Sequence, residues 1–145
     1  MNFQTAATKA RKLTPSKVQR DLFNYIRTIE TYLADLNVER LFSFSQDIFG
    51  NAIGFYSPAT EAITGGRKKA GQPFNLFETG EFLELLFAKV GTNSIFFDTK
   101  DKKKSLVLRN LLTQDIFGLT DQDLKEAIDS KILPFLLDYF RKQMT

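Results

Sequence analysis

Cysteine, histidine and tryptophan are all missing from this sequence of 145 residues. Without cysteine there is no disulfide, no thiolate nucleophile and no thiolate metal ligand. Without histidine, the commonest general base and the commonest metal ligand are gone as well. Most hydrolase and metalloenzyme designs are thereby closed. Proline is scarce, at four residues, and no apolar run approaches the roughly 18 residues of a membrane span. The N-terminal stretch MNFQTAATKARKL is basic but has no apolar core of the kind a secretory signal needs. A soluble protein made in the cytoplasm, with no membrane partner, is therefore expected.

What is present suits one folded domain. Hydrophobic residues make up 43% and charged residues 26%, proportions that allow a core and argue against disorder. Net charge is only +3, yet the cations fall in three groups: Lys9, Arg11 and Lys12; Arg67, Lys68 and Lys69; and Lys100, Lys102, Lys103 and Lys104. Such groups face phosphate, an acidic protein or simply water.

Residues 1–13 are polar and basic with no apolar period, and read as a flexible arm that orders on a partner. Thr14 and Pro15 then form a helix start, with a capping hydroxyl followed by proline where no N–H is needed. Val18, Leu22, Tyr25, Ile26, Ile29, Leu33 and Leu36 recur at three- and four-residue steps, predicting one helix of about six turns with a continuous apolar stripe. A second short helix or turn ends at Gly50, read as a left-handed cap. Residues 50–75 hold five of the eight glycines and two of the four prolines, the composition of a long loop.

A helical turn is predicted from Thr79, and then a hairpin, with strands over 86–90 and 95–98 around Gly91, Thr92 and Asn93. A helix over 105–118 closes at Gly118. Thr120 caps the last helix, with Asp123 at the matching position of a capping box. Leu124, Ile128, Ile132, Phe135, Leu136, Tyr139 and Phe140 share its apolar face, which is predicted to be core, and Pro134 is expected to kink it. The pentapeptide QDIFG occurs at Gln46–Gly50 and again at Gln114–Gly118, read as two helix ends built alike. The fold class is α+β: a flexible basic arm over 1–13, then a single domain over 14–145. In that domain a long N-terminal helix and C-terminal helices pack on a small, mainly antiparallel sheet, with a long loop at about 50–75.

Carboxylates are the only broad source of catalysis left. The pairs Glu78 with Glu81, Asp98 with Asp101, and Asp121 with Asp123 each have a simpler role at a helix start or beside lysines. Gly65, Gly66, Lys68 and Lys69 lack the spacing of a phosphate-binding loop. No catalytic, cofactor-binding or metal-binding residue is expected, and no cofactor. Phe96 and Phe97, beside the lysine run, would offer a stacking surface for single-stranded nucleic acid if both were exposed. Strand neighbours face opposite ways, however, so at least one is expected in the core.

Four stretches carry a family resemblance: GFYSPATE at Gly54–Glu61, GGRKKAGQP at Gly65–Pro73, FETGEF at Phe77–Phe82 and DIFGLTDQDL at Asp115–Leu124. In order and spacing, from about Gln46 to Phe140, they resemble small virion morphogenesis proteins of tailed phages and prophages, especially those infecting Bacteroidetes, related to tail-completion and neck proteins. FETGEF resembles that family's L-x-D-T-G-x-F/L signature, with Glu78 where aspartate is frequent. The resemblance implies a homo-oligomeric ring subunit of the neck or tail, of the completion or head-tail connector type, located in the virion and performing no covalent chemistry. Its implied partners are copies of itself and neighbouring portal, neck or tail proteins, with non-specific contact to packaged DNA.

The loop is the expected contact. Tyr56, Pro58 and Ile63 would anchor it on protein, and the glycine bend would present Arg67, Lys68 and Lys69 together. The arm with Lys9, Arg11 and Lys12 is the second candidate. The alternative function is sequence-independent nucleic-acid binding through the same cations.

Overall fold

The computed structural model describes residues 2–73, 81–102, 104–105 and 114–145. The N-terminal segment is not an irregular arm. Helix α1 spans Phe3–Arg11, started by Asn2, whose side chain accepts a hydrogen bond from the Thr5 amide at 2.8 Å. None of its residues is buried, which is why no apolar period announces it.

Helix α2 (Pro15–Thr28) begins as expected, with the Thr14 hydroxyl accepting from the Lys17 amide at 3.1 Å. The predicted six-turn helix is interrupted once, at Ile29 (φ −113°, ψ 21°), before α3 resumes over Glu30–Glu39. Two local bonds favour the break. The Thr28 hydroxyl donates back to the Tyr25 carbonyl at 2.6 Å, and the Ile29 amide takes the Ile26 carbonyl three residues back. The stripe survives it: Ile26 and Leu33 are buried, and Leu22, Ile29 and Leu36 pack against the core. The helix then widens into a π turn over Arg40–Phe44 and ends on Ser45 in the left-handed region (φ 51°).

The hairpin forms as predicted. Strand β1 (Leu86–Val90) pairs antiparallel with β2 (Ile95–Thr99) in the register Leu86↔Thr99 to Val90↔Ile95, and the Gly91 amide closes the turn on the Ser94 carbonyl at 2.8 Å. Leu86, Ala88 and Val90 face inward against α3. Phe97 joins the core while Phe96 is 58% exposed, as strand alternation requires. The core gathers Ile26, Leu33 and Leu41 with Phe82, Leu83, Ile116 and Ala127, and a fully buried leucine or isoleucine contributes about 1.5–3 kcal/mol.

Thr120 and Asp123 make the capping box that starts helix α6 (Asp121–Ala127; we number the short helices α4, Pro58–Ile63, and α5, Glu81–Glu84). A second π turn, Ile128–Ile132, follows, and then α7 over Leu133–Met144. A kink is expected at Pro134; the structure places a π turn before it, in which the Leu133 amide reaches the Ile128 carbonyl, so that Pro134 falls in the first turn of α7, where its missing N–H costs little.

The apolar face of α7 is not core. Of the seven residues on the predicted face none is buried: Leu124, Ile128 and Phe140 are exposed, Phe135, Leu136 and Tyr139 are half-buried, and Ile132 alone of the seven packs against the core. The reason is its neighbour: α7 lies against the polar helix α1 and the outer side of α2, where Tyr139 donates to Asp21 (2.7 Å), Lys17 donates to Gln143 (3.0 Å) and Phe135 meets the Tyr25 ring at 4.3 Å. The start of the turn predicted from Thr79, and most of the helix predicted over 105–118, lie outside the described residues.

Candidate functional site

The segment read as an irregular loop contains a helix. Ser57 caps α4 by accepting from the Thr60 amide at 3.1 Å, and Pro58 occupies its first position. This is the same hydroxyl-proline signal that starts α2. The segment's ends are tied together: Phe55 bridges Pro73, the Tyr56 amide donates to the Gln72 carbonyl, and the Gly71 amide donates to the Tyr56 carbonyl, both at 2.9 Å.

Its interior is tied as well. Glu61 accepts from the Ala70 amide through its carboxylate (2.9 Å) and from the Gly66 amide through its carbonyl (2.9 Å), while the Thr64 hydroxyl accepts from the Lys68 amide at 3.1 Å. Gly65 and Gly66 adopt positive φ (63° and 82°), the conformation this bend requires. The result is a self-closed surface loop, and no residue from Ser57 to Pro73 is buried.

This loop brings most of the expected contact residues together. Lys68 lies over the Tyr56 ring with its ammonium 5.4 Å from the centroid, Arg67 and Lys69 are exposed on either side, and Pro58 is exposed at the start of α4. Ile63, at the end of α4, is 85% exposed. A partner that covered a branched apolar side chain so placed would gain from its burial. Glu61 is the single acid between Phe55 and Pro73, and its carboxylate faces inward to a backbone amide.

Lys9, Arg11 and Lys12 are not gathered with the loop on an extended arm. They stand at the C-terminal end of α1, where cations suit the helix dipole, and the Lys9 ammonium bonds the Thr145 carbonyl oxygen at the end of α7. In the third group, Lys104 pairs with Asp98 at 2.6 Å and Lys100 stands over the Phe87 ring.

Two of the carboxylates read as pairs have structural duties. Asp98 holds Lys104, and Asp123 serves both the cap of α6 and Arg40. The backbone of Glu78 and the side chain of Glu81 lie outside what is described. Among the described residues, no group of three histidine, cysteine, aspartate or glutamate side chains is placed to hold a metal, and no helix is long and apolar enough to cross a membrane. The Tyr139 hydrogen bond, with help from Arg20, holds the Asp21 carboxyl below its ordinary value. Burial first, and then the Asp21 bond, raise the Tyr139 hydroxyl above its own.

A polar hub that composition does not announce ties the end of α3 to the two QDIFG segments. Arg40, 3% exposed, donates to the carbonyls of Gln46 (3.0 Å), Ile116 (2.9 Å) and Gly118 (2.7 Å) and to the Asp123 carboxylate (2.9 Å). Asn37, fully buried, donates to the Ile116 carbonyl and accepts from the Gly118 amide, both at 2.8 Å. The Ile48 amide meets the Asp115 carbonyl at 2.8 Å.

The two QDIFG pentapeptides are turns tied to each other by the Ile48–Asp115 bond; Arg40 donates to both segments, and Asn37 holds the second. The signal was available in the sequence, because Asn37 and Arg40 continue the stripe of Leu33 at helical spacing, as two polar residues on the line of an apolar face.

No protein-family model matches the chain, and no characterised protein or solved structure is significantly similar to it.

Proposed function

We propose that this chain is a structural subunit of a tailed-phage particle, joined to copies of itself in a ring at the neck or upper tail, and that it works through surface contacts rather than covalent chemistry. The observation that carries the contact-surface part of the reading is the loop from Phe55 to Pro73. It is internally fixed by its own hydrogen bonds, lies wholly on the surface, and offers an exposed isoleucine beside three cations. A loop made rigid before it meets a partner loses little entropy on binding, which is what a repeated assembly contact needs. The particle and its neck station come from the order of the GFYSPATE, GGRKKAGQP, FETGEF and DIFGLTDQDL stretches.

Replacing Arg67, Lys68 and Lys69 together by serine tests the reading. The isolated protein should keep its melting temperature within a few degrees, since exposed charges contribute little to folding, while the yield of complete particles falls. Normal particles from that variant would contradict the loop's role.

A second reading, sequence-independent nucleic-acid binding, is favoured by the outer face of the hairpin, where Phe87 and Phe96 meet edge to face at 6.3 Å beside Lys89 and Lys100. That reading requires tight binding to free DNA or RNA that weakens steeply with salt. A ring subunit requires neither.

A further inference from the structure

We propose that the groove between α3 and β1 receives the basic loop of a neighbouring copy of this chain, and that this pairing is the repeated contact of the ring. The inference rests on the ring-subunit reading and supplies the surface that reading lacks.

The groove encloses about 660 Å³. It is lined by the apolar Val38, Phe42 and Leu86, with Phe42 47% exposed, and by the acids Glu30, Asp35 and Glu84, of which Glu30 also accepts from the Val90 amide at 3.1 Å. No lysine or arginine is among the described residues that line it. The loop is opposite in charge: Ile63 projects an apolar group, and the exposed cations Arg67 and Lys69 follow within six residues, to set against the exposed carboxylates Asp35 and Glu84.

The chain does not fill its own groove with its own loop. The loop is closed on itself by the Tyr56, Gln72 and Gly71 bonds, and Ile63 stays 85% exposed. The occupant therefore comes from a second molecule. Loop and groove share no residue, so the contact is heterologous: each copy gives its loop to one neighbour and its groove to the other, and such contacts build rings when the rotation closes. Opposed charge fixes register and partner, while the isoleucine against the apolar lining supplies the desolvated centre.

Charge reversal on each side tests the contact. One variant carries Arg67→Glu and Lys69→Glu, the other Asp35→Lys and Glu84→Lys; all four side chains are exposed, so the fold has little to lose. Sedimentation velocity over a range of concentration and salt is expected to show self-association of the unaltered chain. Each variant alone should associate about tenfold or more weakly. An equimolar mixture should recover association, because an acidic loop then meets a basic groove and a basic loop an acidic one, in alternation. Ile63→Ser should also weaken association of the unaltered background, with its circular dichroism unchanged.

A mixture that stays monomeric, or single variants that associate as the parent does, would overturn the pairing. So would charge variants that lose DNA binding while keeping self-association. The ring-subunit reading is judged separately, by presence of the chain in purified particles. Particles that contain it, together with a mixture that does not associate, would remove the groove contact alone. Restored association of a protein absent from particles would remove the virion reading alone.

Discussion

Replacing Arg40 by methionine keeps most of the side-chain stem and removes every donor. Three backbone carbonyls, of Gln46, Ile116 and Gly118, then lose a charge-assisted hydrogen bond, and the Asp123 carboxylate, with its side chain 19% exposed, loses its cation. Asn37 still serves the Ile116 carbonyl, so that group keeps one partner. An unsatisfied buried acceptor costs about 1–3 kcal/mol, and breaking a buried pair by removing one member costs about 3–5 kcal/mol. These costs overlap, because one side chain supplies all the bonds. A net loss of about 3–5 kcal/mol is expected, a large part of the roughly 5–15 kcal/mol that holds a domain of this size folded.

Urea unfolding followed by circular dichroism reads the change as a lower midpoint with an unaltered slope. A fall of about 10–15 °C in melting temperature should accompany it. Arg40→Lys should recover only part of the loss, since an ammonium cannot reach four acceptors arranged around a planar fork. A cost below about 1 kcal/mol for Arg40→Met would refute the hub, and with it the clamping of the two QDIFG turns.

Gly118→Ala should cost about 1–3 kcal/mol by thermal melting, because φ of 130° is strained for any side chain and the new Cβ would stand 3.2 Å from the Ile48 methyl. Tyr139→Phe should return the Asp21 carboxyl toward its ordinary 3.8, readable by carboxyl-resolved NMR titration. Because the folded pKa of Asp21 is lowered, its contribution to stability is present above about pH 4 and is lost as pH falls through the folded value. The stability gap between the parent and the Tyr139 variant should therefore narrow in acid, and a gap that widens would contradict the sign. Thr120→Ala should cost about 0.5–2 kcal/mol in urea unfolding, through loss of the capping box of α6.

The features legible in the sequence are those set by a few neighbouring residues. Thr14 with Pro15, Thr120 with Asp123, and the alternating strands around Gly91 each declare their structure locally, and each forms. The α+β class follows from them. Helix α1 escaped because a helix that buries nothing has no period to read, leaving only Asn2 as a cap. Helix α4 escaped for a different reason: its Ser57 and Pro58 start was there to be read, but six residues set among glycines give no stripe.

The apolar face of α7 was legible as a pattern and misread as core, because periodicity shows which residues share a face and not what lies opposite. In the candidate site, the cations and Ile63 were identified from composition. The closure that displays them depends on Glu61 and on backbone pairing across sixteen residues, from Tyr56 to Gln72, which no short window contains. The hub at Arg40 joins segments more than seventy residues apart, so the helical stripe shows two polar residues at Asn37 and Arg40 but not what they bind.

The claim that this chain is a repeated structural part of a virion is tested most directly by quantitative mass spectrometry of gradient-purified particles from cells that carry its gene. The account predicts that its peptides band with the particles at several copies each, in fixed ratio to the other neck and tail proteins across fractions. Abundant protein in the lysate with none in the purified particles would contradict it.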